Sequence, residues 1–531
     1  MSLTSSEILS HLSSRNLNAG YGSLAEIPHF STMKDMTRGA KRLAEAVRNK
    51  EQIFCVGDYD ADGSCSTATC VSFFNEIGYP IQWLIPDRFT DGYGVSPSVL
   101  ERIEHADVIF TVDNGIVAHD AARVCKERGI DLIITDHHTP GTATPDCYAV
   151  IDPKQDDCEY PFKDGSGCFV AWMLCCAIKH EFGLDTNMGK YLDLVALSTI
   201  TDVMPLVGIN RHIVKYGLKR INELKRPFFR ELALSMGKES FSYEDLGFQV
   251  GPRINAAGRL KHASLAVEAL LADEDEAQQC VQLLTEVNQL RKEMQSELIE
   301  HILELANWQA DFVVVHSDSL HEGIVGIVAA KVAETMGYPT IILTMGENGL
   351  LKGSGRTVGE VDIFKLVNEN SSYLEKFGGH AGACGLSLRT ENLGAFIEGL
   401  KNSSKRLPRK AFEQLDTAIG ELDPINADLD LYRQIEQFAP FGEGNIAPVF
   451  YCKEATVLNS KAVGKEGDHT RLTLNWGSKE VIIMAFNSNS NKYPKGSTVT
   501  FNYRLDLNEW NGNINLQFMP TGEVKVIYGH L

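Results

Sequence analysis

Between about Lys34 and Asp202 the chain alternates short apolar, β-rich runs with helical stretches, and this constrains the fold more than any other feature. The runs QIFCVGD, IQWLIP, DVIFTVDNG, DLIITDHH and YAVIDP are separated by segments such as AHDAARVCKERG, a rhythm that predicts a parallel α/β sheet. Functional groups in such sheets gather outside the carboxyl ends of the strands. Asp58, Asp60 and Asp62, then Asp113, then Asp136 with His137 and His138, each follow one of these runs. Far apart in the chain, they are expected to converge in space.

A chain of 531 residues is too long for one ordinary core and predicts roughly two to four domains. After His262 comes a helical segment without Pro or Gly. Its part from Glu276 to Ala306 would extend roughly 45 Å, the length of a strut between domains; a two-helix hairpin broken near Asp273 is the alternative. A second α/β pattern follows in DFVVVHSD, EGIVGIVAAKVAETMG, PTIILTM and LLKGSGRTV, ending at KFGGHAGACGLSL. The EGIVGIVAAKVAE part reads as a helix packed on that sheet. The last segment changes to closely spaced strands with turn residues between them, including Asn511 to Asn513, as in a small barrel of about five strands. The expected division is 1–34 extension, 35–261 first α/β domain, 262–309 connecting helix, 310–404 second α/β domain and 405–531 barrel.

The content of 44% hydrophobic and 23% charged residues is that of a soluble globular protein. The opening MSLTSSEILSHLSSRN lacks a basic region followed by an apolar core, which predicts no secretory leader. The longest apolar run, Cys168 to Ile178, is too short to span a bilayer. Twelve cysteines without a CxxC pair fit free thiols in a reducing cytoplasm better than a zinc site or disulfide framework. A formal charge of −20 argues against a nucleic-acid partner, but charge acts locally and bound cations offset clustered acids. From Ile446 onward nine Lys/Arg face seven Asp/Glu, so the terminal segment is mildly basic.

Hard divalent cations select oxygen ligands, and added imidazole shifts the preference toward manganese. DYDAD, VDNG, TDHH and the Asp202 of LSTITDVMPL supply enough carboxylates and imidazoles for two ions with one bridging acid, the clamp used in phosphoryl displacement. Singly, an acid after a strand is more often a helix N-cap than a ligand. Four such elements behind successive strands change that balance.

The combination DYDADG, VDNG, TDHH and TDVMPL resembles the DHH phosphoesterase superfamily. Downstream, GPRINAAGRL (Gly251 to Leu260), GGHAGACG (Gly378 to Gly385) and PFGEGNIAPVF (Pro440 to Phe450) resemble its RecJ single-strand exonuclease branch, from roughly Lys34 onward. The resemblance implies an α/β fold with a DHH parallel-sheet domain, a long connecting helix, a second α/β DHHA1 domain and a C-terminal OB-fold-like β-barrel. It implies an exonuclease that degrades single-stranded DNA from the 5′ end to mononucleotides in repair and recombination, using two Mn2+ or Mg2+ ions. By position the metal ligands would be Asp60, Asp62, Asp113, His137 and Asp202, with Asp113 as the bridge. His138 would orient or protonate, and Asp136 would support the imidazoles. Some members carry a His where Val56 stands, which would weaken one metal site; Asp58 would compensate.

Guanidinium forks suit phosphates, and Arg253 and Arg259 bracket Asn255 among small residues; a linker turn with solvated arginines is the bland alternative. Arg88 in PDRFTDGYG is a weaker candidate. GSGRT, with Arg356, and GGHAGACG, with Gly379 and His380, read as glycine-rich loops able to cradle a phosphate or base. Trp476, Tyr503 and Trp510 could stack bases but are more often core. The rivals are an oligonucleotide or cyclic-dinucleotide phosphodiesterase, a pyrophosphatase, and an inactive replication scaffold. The expected partner is single-stranded DNA, with a single-strand-binding protein or helicase as further candidates, and the chain is expected to be a cytoplasmic monomer.

Overall fold

The computed structural model describes residues 2–305, 311–318, 320–346, 349–412, 417–464, 467–510 and 513–528. The Trp510 side chain, Ala306 to Trp308 and the turn residues Asn511 and Gly512 lie outside the described residues. Two compact units are present: one of Met1–Ile27, Val203–Tyr216 and Asp416–Leu531, the other of Pro28–Asp202 and Gly217–Leu415.

In the larger unit, β1 (Ile53–Val56), β2 (Gln82–Leu84), β3 (Val108–Val112), β4 (Asp131–Thr135) and β5 (Ala149–Ile151) form a sheet in the order β2-β1-β3-β4-β5. All four pairings are parallel. Helices cover both faces, so β3 is buried at every residue, as parallel sheets require. Val56 pairs with Thr111, Val112 with Thr135 and Thr135 with Ile151. Residues just past these positions therefore share one edge, and the order reverses between β1 and β3, where ligands of such sheets sit.

The connecting segment is two helices rather than one. Ser264–Leu271 is separate, and the long helix runs Ala277–Leu305; Asp273 accepts the amides of Asp275 and Glu276 and restarts the chain. A second sheet, ordered β6-β7-β8-β10-β9, follows: β6 (Val313–His316), β7 (Thr340–Met345), β8 (Leu351–Arg356), β9 (Lys376–His380) and β10 (Ala383–Leu388). The segment read as a packed helix is one, Val325–Met336, with Val328, Ala329 and Val332 buried.

The glycine-rich segments here are strands, not loops. Gly353 and Gly355 lie inside β8 because β7 and β10 crowd them: a Cβ on Gly355 would stand 2.7 Å from Cys384 Sγ, and one on Gly353 would stand 2.8 Å from the Ile342 carbonyl. GGHAG is the β9–β10 hairpin.

The smaller unit holds β11 (Ala418–Glu421), β12 (Val449–Val463), β13 (His469–Trp476), β14 (Lys479–Ala485), β15 (Thr498–Trp510), β16 (Asn513–Pro520) and β17 (Lys525–Tyr528). The path β14-β13-β12-β15-β16 bends so that β14 and β16 lie against each other, the barrel-like closure expected from the sequence. Trp476 and Tyr503 are core, packed with Phe501 and Phe518. An N-terminal helix, Ser5–Ser13, opens with a Thr4–Glu7 capping box and belongs to this unit. No helix among the described residues is long and apolar enough to cross a membrane.

Candidate active site

The carboxyl edge of the first sheet collects the acids. Asp113 follows β3 directly, Asp136 follows β4, and Asp58 lies two residues past β1. Asp60 caps the helix Ala61–Glu76, its carboxylate accepting the Gly63 amide at 3.0 Å. Gly63 is needed for close approach rather than for a turn: a Cβ there would stand 2.5 Å from the Asp58 carbonyl oxygen. Asp202 caps the end of the helix Leu192–Thr201.

At the centre is His137, 3% exposed. Its Nε2 lies 3.2 Å from Asp113 Oδ1, 3.5 Å from Asp202 Oδ2 and 3.7 Å from Asp62 Oδ2. None of these contacts has hydrogen-bond geometry: Nε2 and Nδ1 of His137, Asp113 Oδ1, Asp202 Oδ2 and Asp58 Oδ1 are all buried without a partner. Orphaned buried polar atoms are costly. Adjacent ligands of a cation held at about 2.1 Å stand about 3 Å apart, so the spacing fits a coordination shell. Three groups bring possible ligand atoms within 4.8 Å of one another: Asp62, His137 and Asp202; Asp113, His137 and His138; Asp58, Asp60 and Asp113. Asp113 belongs to two of them.

The electrostatics agree. Burial, then neighbouring carboxylates, push Asp58, Asp60 and Asp113 above the ordinary carboxyl range, and Asp202 rises to about 8 for the same reasons. In these acids burial and like charge outweigh the nearby cations, among them His138, Arg88 and Lys154. Asp113 also holds a left-handed backbone, φ 64°, a strained conformation of the kind that clusters at functional sites.

Asp136 behaves differently. Burial opposes its charge, but the hydrogen bond and charge of His138 outweigh it and hold its carboxyl below the usual range. It accepts the amides of Ile116, His137 and His138 and lies 2.7 Å from His138 Nδ1. Burial lowers His138, yet Asp136 overcomes this and lifts the imidazole to about 9.

Several supporting residues have no sequence signature. Asp62 accepts the amides of Gly167 and Cys168 at 2.7 and 2.8 Å and the Ser198 hydroxyl at 2.6 Å, so the N-terminus of the helix Gly167–Phe182 fixes its position. A Cβ on Gly167 would overlap the Asp113 carboxylate. Buried Asn114 ties β3 to Val56 and accepts the Val95 amide. Tyr93 donates to the Asp113 carbonyl at 3.1 Å and stands 3.2 Å from His138 Nδ1; only its place in the glycine-flanked PDRFTDGYG stretch could have flagged it.

GPRINAAGRL is a helix, Gly251–Leu260, rather than a linker turn. Asn255 Oδ1 accepts the Ala61 amide at 2.8 Å, and a Cβ on Gly258 would overlap the Tyr59 carbonyl, so this helix clamps the Asp58–Asp62 loop. Arg259 is pulled down to about 10 by burial and by the Arg88 and Arg356 charges. Arg88 lies over the Tyr59 ring at 5.0 Å, and Arg356 donates to Ser354 Oγ at 2.6 Å. No carboxylate pairs with Arg88, Arg259 or Arg356 among the described residues, in a chain of net charge −20. Arg253 donates to the Gln249 carbonyl and keeps a buried, unpaired Nε. His380 and Arg356 both register against Ala383 of β10; Gly379 and His380 are exposed on β9 and do not touch the acidic cluster.

Three family models match: the DHH family N-terminal domain at 52–199, the DHHA1 domain at 309–405 and the RecJ OB domain at 420–521. The single-stranded-DNA-specific exonuclease RecJ of Haemophilus influenzae is 33% identical over 90% of this chain and 88% of its own length. The Bacillus subtilis protein of that name is 32% identical over 92% of this chain, which spans only 63% of that relative's length. A crystal structure of Thermus thermophilus RecJ in complex with Mn2+ superposes with a TM-score of 0.83 at 28% identity, covering 100% of this chain and 79% of that one. A manganese-bound exonuclease RecJ structure matches 72% of this chain and 97% of its own at 33% identity, TM-score 0.63. With its three domain types in order and this depth of identity along its length, the chain belongs to the RecJ family of DHH-domain proteins.

Proposed function

We propose that this chain is a metal-dependent exonuclease that hydrolyses single-stranded DNA from the 5′ end to 5′-mononucleotides, acting in repair and recombination. The observation that carries the reading is the orphaned donor set around His137. The relatives are named single-stranded-DNA-specific exonucleases, and solved relatives hold Mn2+ or Mg2+.

Asp62, His137 and Asp202 would hold one ion and Asp58 with Asp60 a second, Asp113 bridging them. Bound there, the ions supply charge stabilisation for a phosphodiester and lower the pKa of water. Asp58 stands where it can make up for Val56. Asp136 fixes the ring of His138 and keeps it cationic at neutral pH, so His138 holds a proton at Nε2 for the departing oxygen. Asn255 and Gly258 position the acidic loop. Arg88, Arg259 and Arg356, without carboxylate partners, bind the 5′-terminal phosphate; Arg253, Gly379 and His380 flank the strand.

In this reading 35–261 carries the chemistry, 262–309 connects, and 310–404 with 405–531 hold substrate. The chain acts as a cytoplasmic monomer, consistent with its twelve free cysteines, beside a single-strand-binding protein or helicase. The test uses 5′- and 3′-labelled single-stranded DNA and RNA with Mn2+, Mg2+ or chelator. Labelled mononucleotide is expected first from the 5′ end of DNA, only with metal. Activity confined to di- or trinucleotides would overturn the proposal.

A further inference from the structure

Phe248 is the most exposed large apolar side chain among the described residues, at 81%. It projects from a π-turn, Leu246–Val250, that runs directly into the helix Gly251–Leu260; such turns recur at functional sites. An exposed phenyl gains nothing for the fold.

The surroundings tie this turn to the acidic cluster. A Cβ on Gly247 would stand 3.3 Å from Ile200 Cγ2, and one on Gly251 would stand 2.5 Å from Thr201 Cγ2, so the turn packs on the helix end that carries Asp202. Further along, Asn255 binds the Ala61 amide between Asp60 and Asp62. At the far end Arg259 belongs to the unpaired arginine cluster. Phe248, Pro252, Asn255 and Arg259 fall at i, i+4, i+7 and i+11 and share one helical stripe. Arg259 and Phe248 therefore lie roughly 16 Å apart along the axis, with Asn255 and the acidic loop between them.

We infer that Phe248 is the stacking platform for the base on the 3′ side of the bond being cut. The inference rests on the exonuclease reading above. With the 5′-phosphate at Arg259 and the scissile phosphate over the acids, the strand continues along the stripe toward Phe248. Stacking on an aromatic face accepts all four bases. It also demands an unpaired base, which links this residue to the choice of single over double strands.

The experiment compares 5′-phosphorylated oligonucleotides that are intact or carry a tetrahydrofuran abasic residue at the second position, with wild type, Phe248→Ala and Phe248→Trp. On the intact strand Phe248→Ala is expected to lower kcat/KM roughly 5- to 100-fold, chiefly through KM, and Phe248→Trp to retain activity. On the abasic strand wild type should fall to the level of the alanine variant, and the substitution should cost nothing further. An alanine variant equal to wild type on the intact strand, or one losing the same factor on both strands, would overturn the assignment. Failure of the exonuclease reading looks different: wild type would release no mononucleotide from either strand. An unchanged thermal midpoint for Phe248→Ala, expected for an exposed side chain, separates the effect from misfolding.

Discussion

The two sheets of the larger unit differ in strand direction and in the charged residues they carry: the first is all parallel and edged with acids, the second is mainly antiparallel and carries Arg356 and His380. The first places its functional groups just past the ends of buried parallel strands, where Asp113 and Asp136 are 2% and 1% exposed and Asp58, Asp60 and Asp113 are pushed up by burial and one another. The second presents Arg356 and His380 from within antiparallel strands, and β9 is exposed at every residue. A cation site gains from desolvation and rigid strand ends, whereas a surface that must admit a polymer gains from access. Under the proposed function the acids take cations and the arginines take an anion.

The largest expected effect breaks the first half of this contrast. Asp113→Asn removes the carboxylate shared by two ligand groups, so Mn2+-dependent release of mononucleotides should fall about 10³-fold or more. The chelator-treated variant should melt above wild type, because an acid whose ionisation burial and neighbouring carboxylates oppose is gone. Arg259→Ala breaks the second half. Loss of charge-assisted contacts should lower kcat/KM on a 5′-phosphorylated strand about 10- to 100-fold and reduce the log–log salt slope by about one, with Mn2+ affinity intact in a binding titration.

The smallest effect is on stability. The folded pKa of Asp202, about 8, exceeds its unfolded value of about 3.9. The metal-free native state then binds more protons than the unfolded chain, so its stability should fall as pH rises from about 4 to about 8. A thermal scan in chelator should show a drop on the order of a few degrees across that window. A rising midpoint would contradict the raised carboxyls.

The acidic edge was legible because an acid written after a strand of a parallel sheet has only one place to go; Asp113 and Asp136 needed no further information. Asp202 was offered by the sequence as one more acid of the set, but it sits at a helix end rather than behind a strand, so the strand pattern alone does not place it. Gly167, Ser198 and Asn114 were not legible, since each acts through a contact closed by the folded chain: Gly167 by leaving room for Asp113, Ser198 by bonding Asp62, Asn114 by tying two strands. GSGR and GGHAG read as loops because Gly has low strand propensity; neighbouring strands crowd Gly353 and Gly355 and override it. Nor does any pattern announce that Met1–Ile27 and Val203–Tyr216 cluster with the C-terminal strands, as the Leu3 amide does by bonding the Glu421 carbonyl at 2.7 Å.

Anomalous scattering from crystals grown with Mn2+ tests the acidic edge most directly. Density is expected among Asp62, Asp113, His137 and Asp202, with a second peak toward Asp58 and Asp60. A protein that degrades DNA with Mn2+ yet shows no manganese at that edge would contradict the assignment.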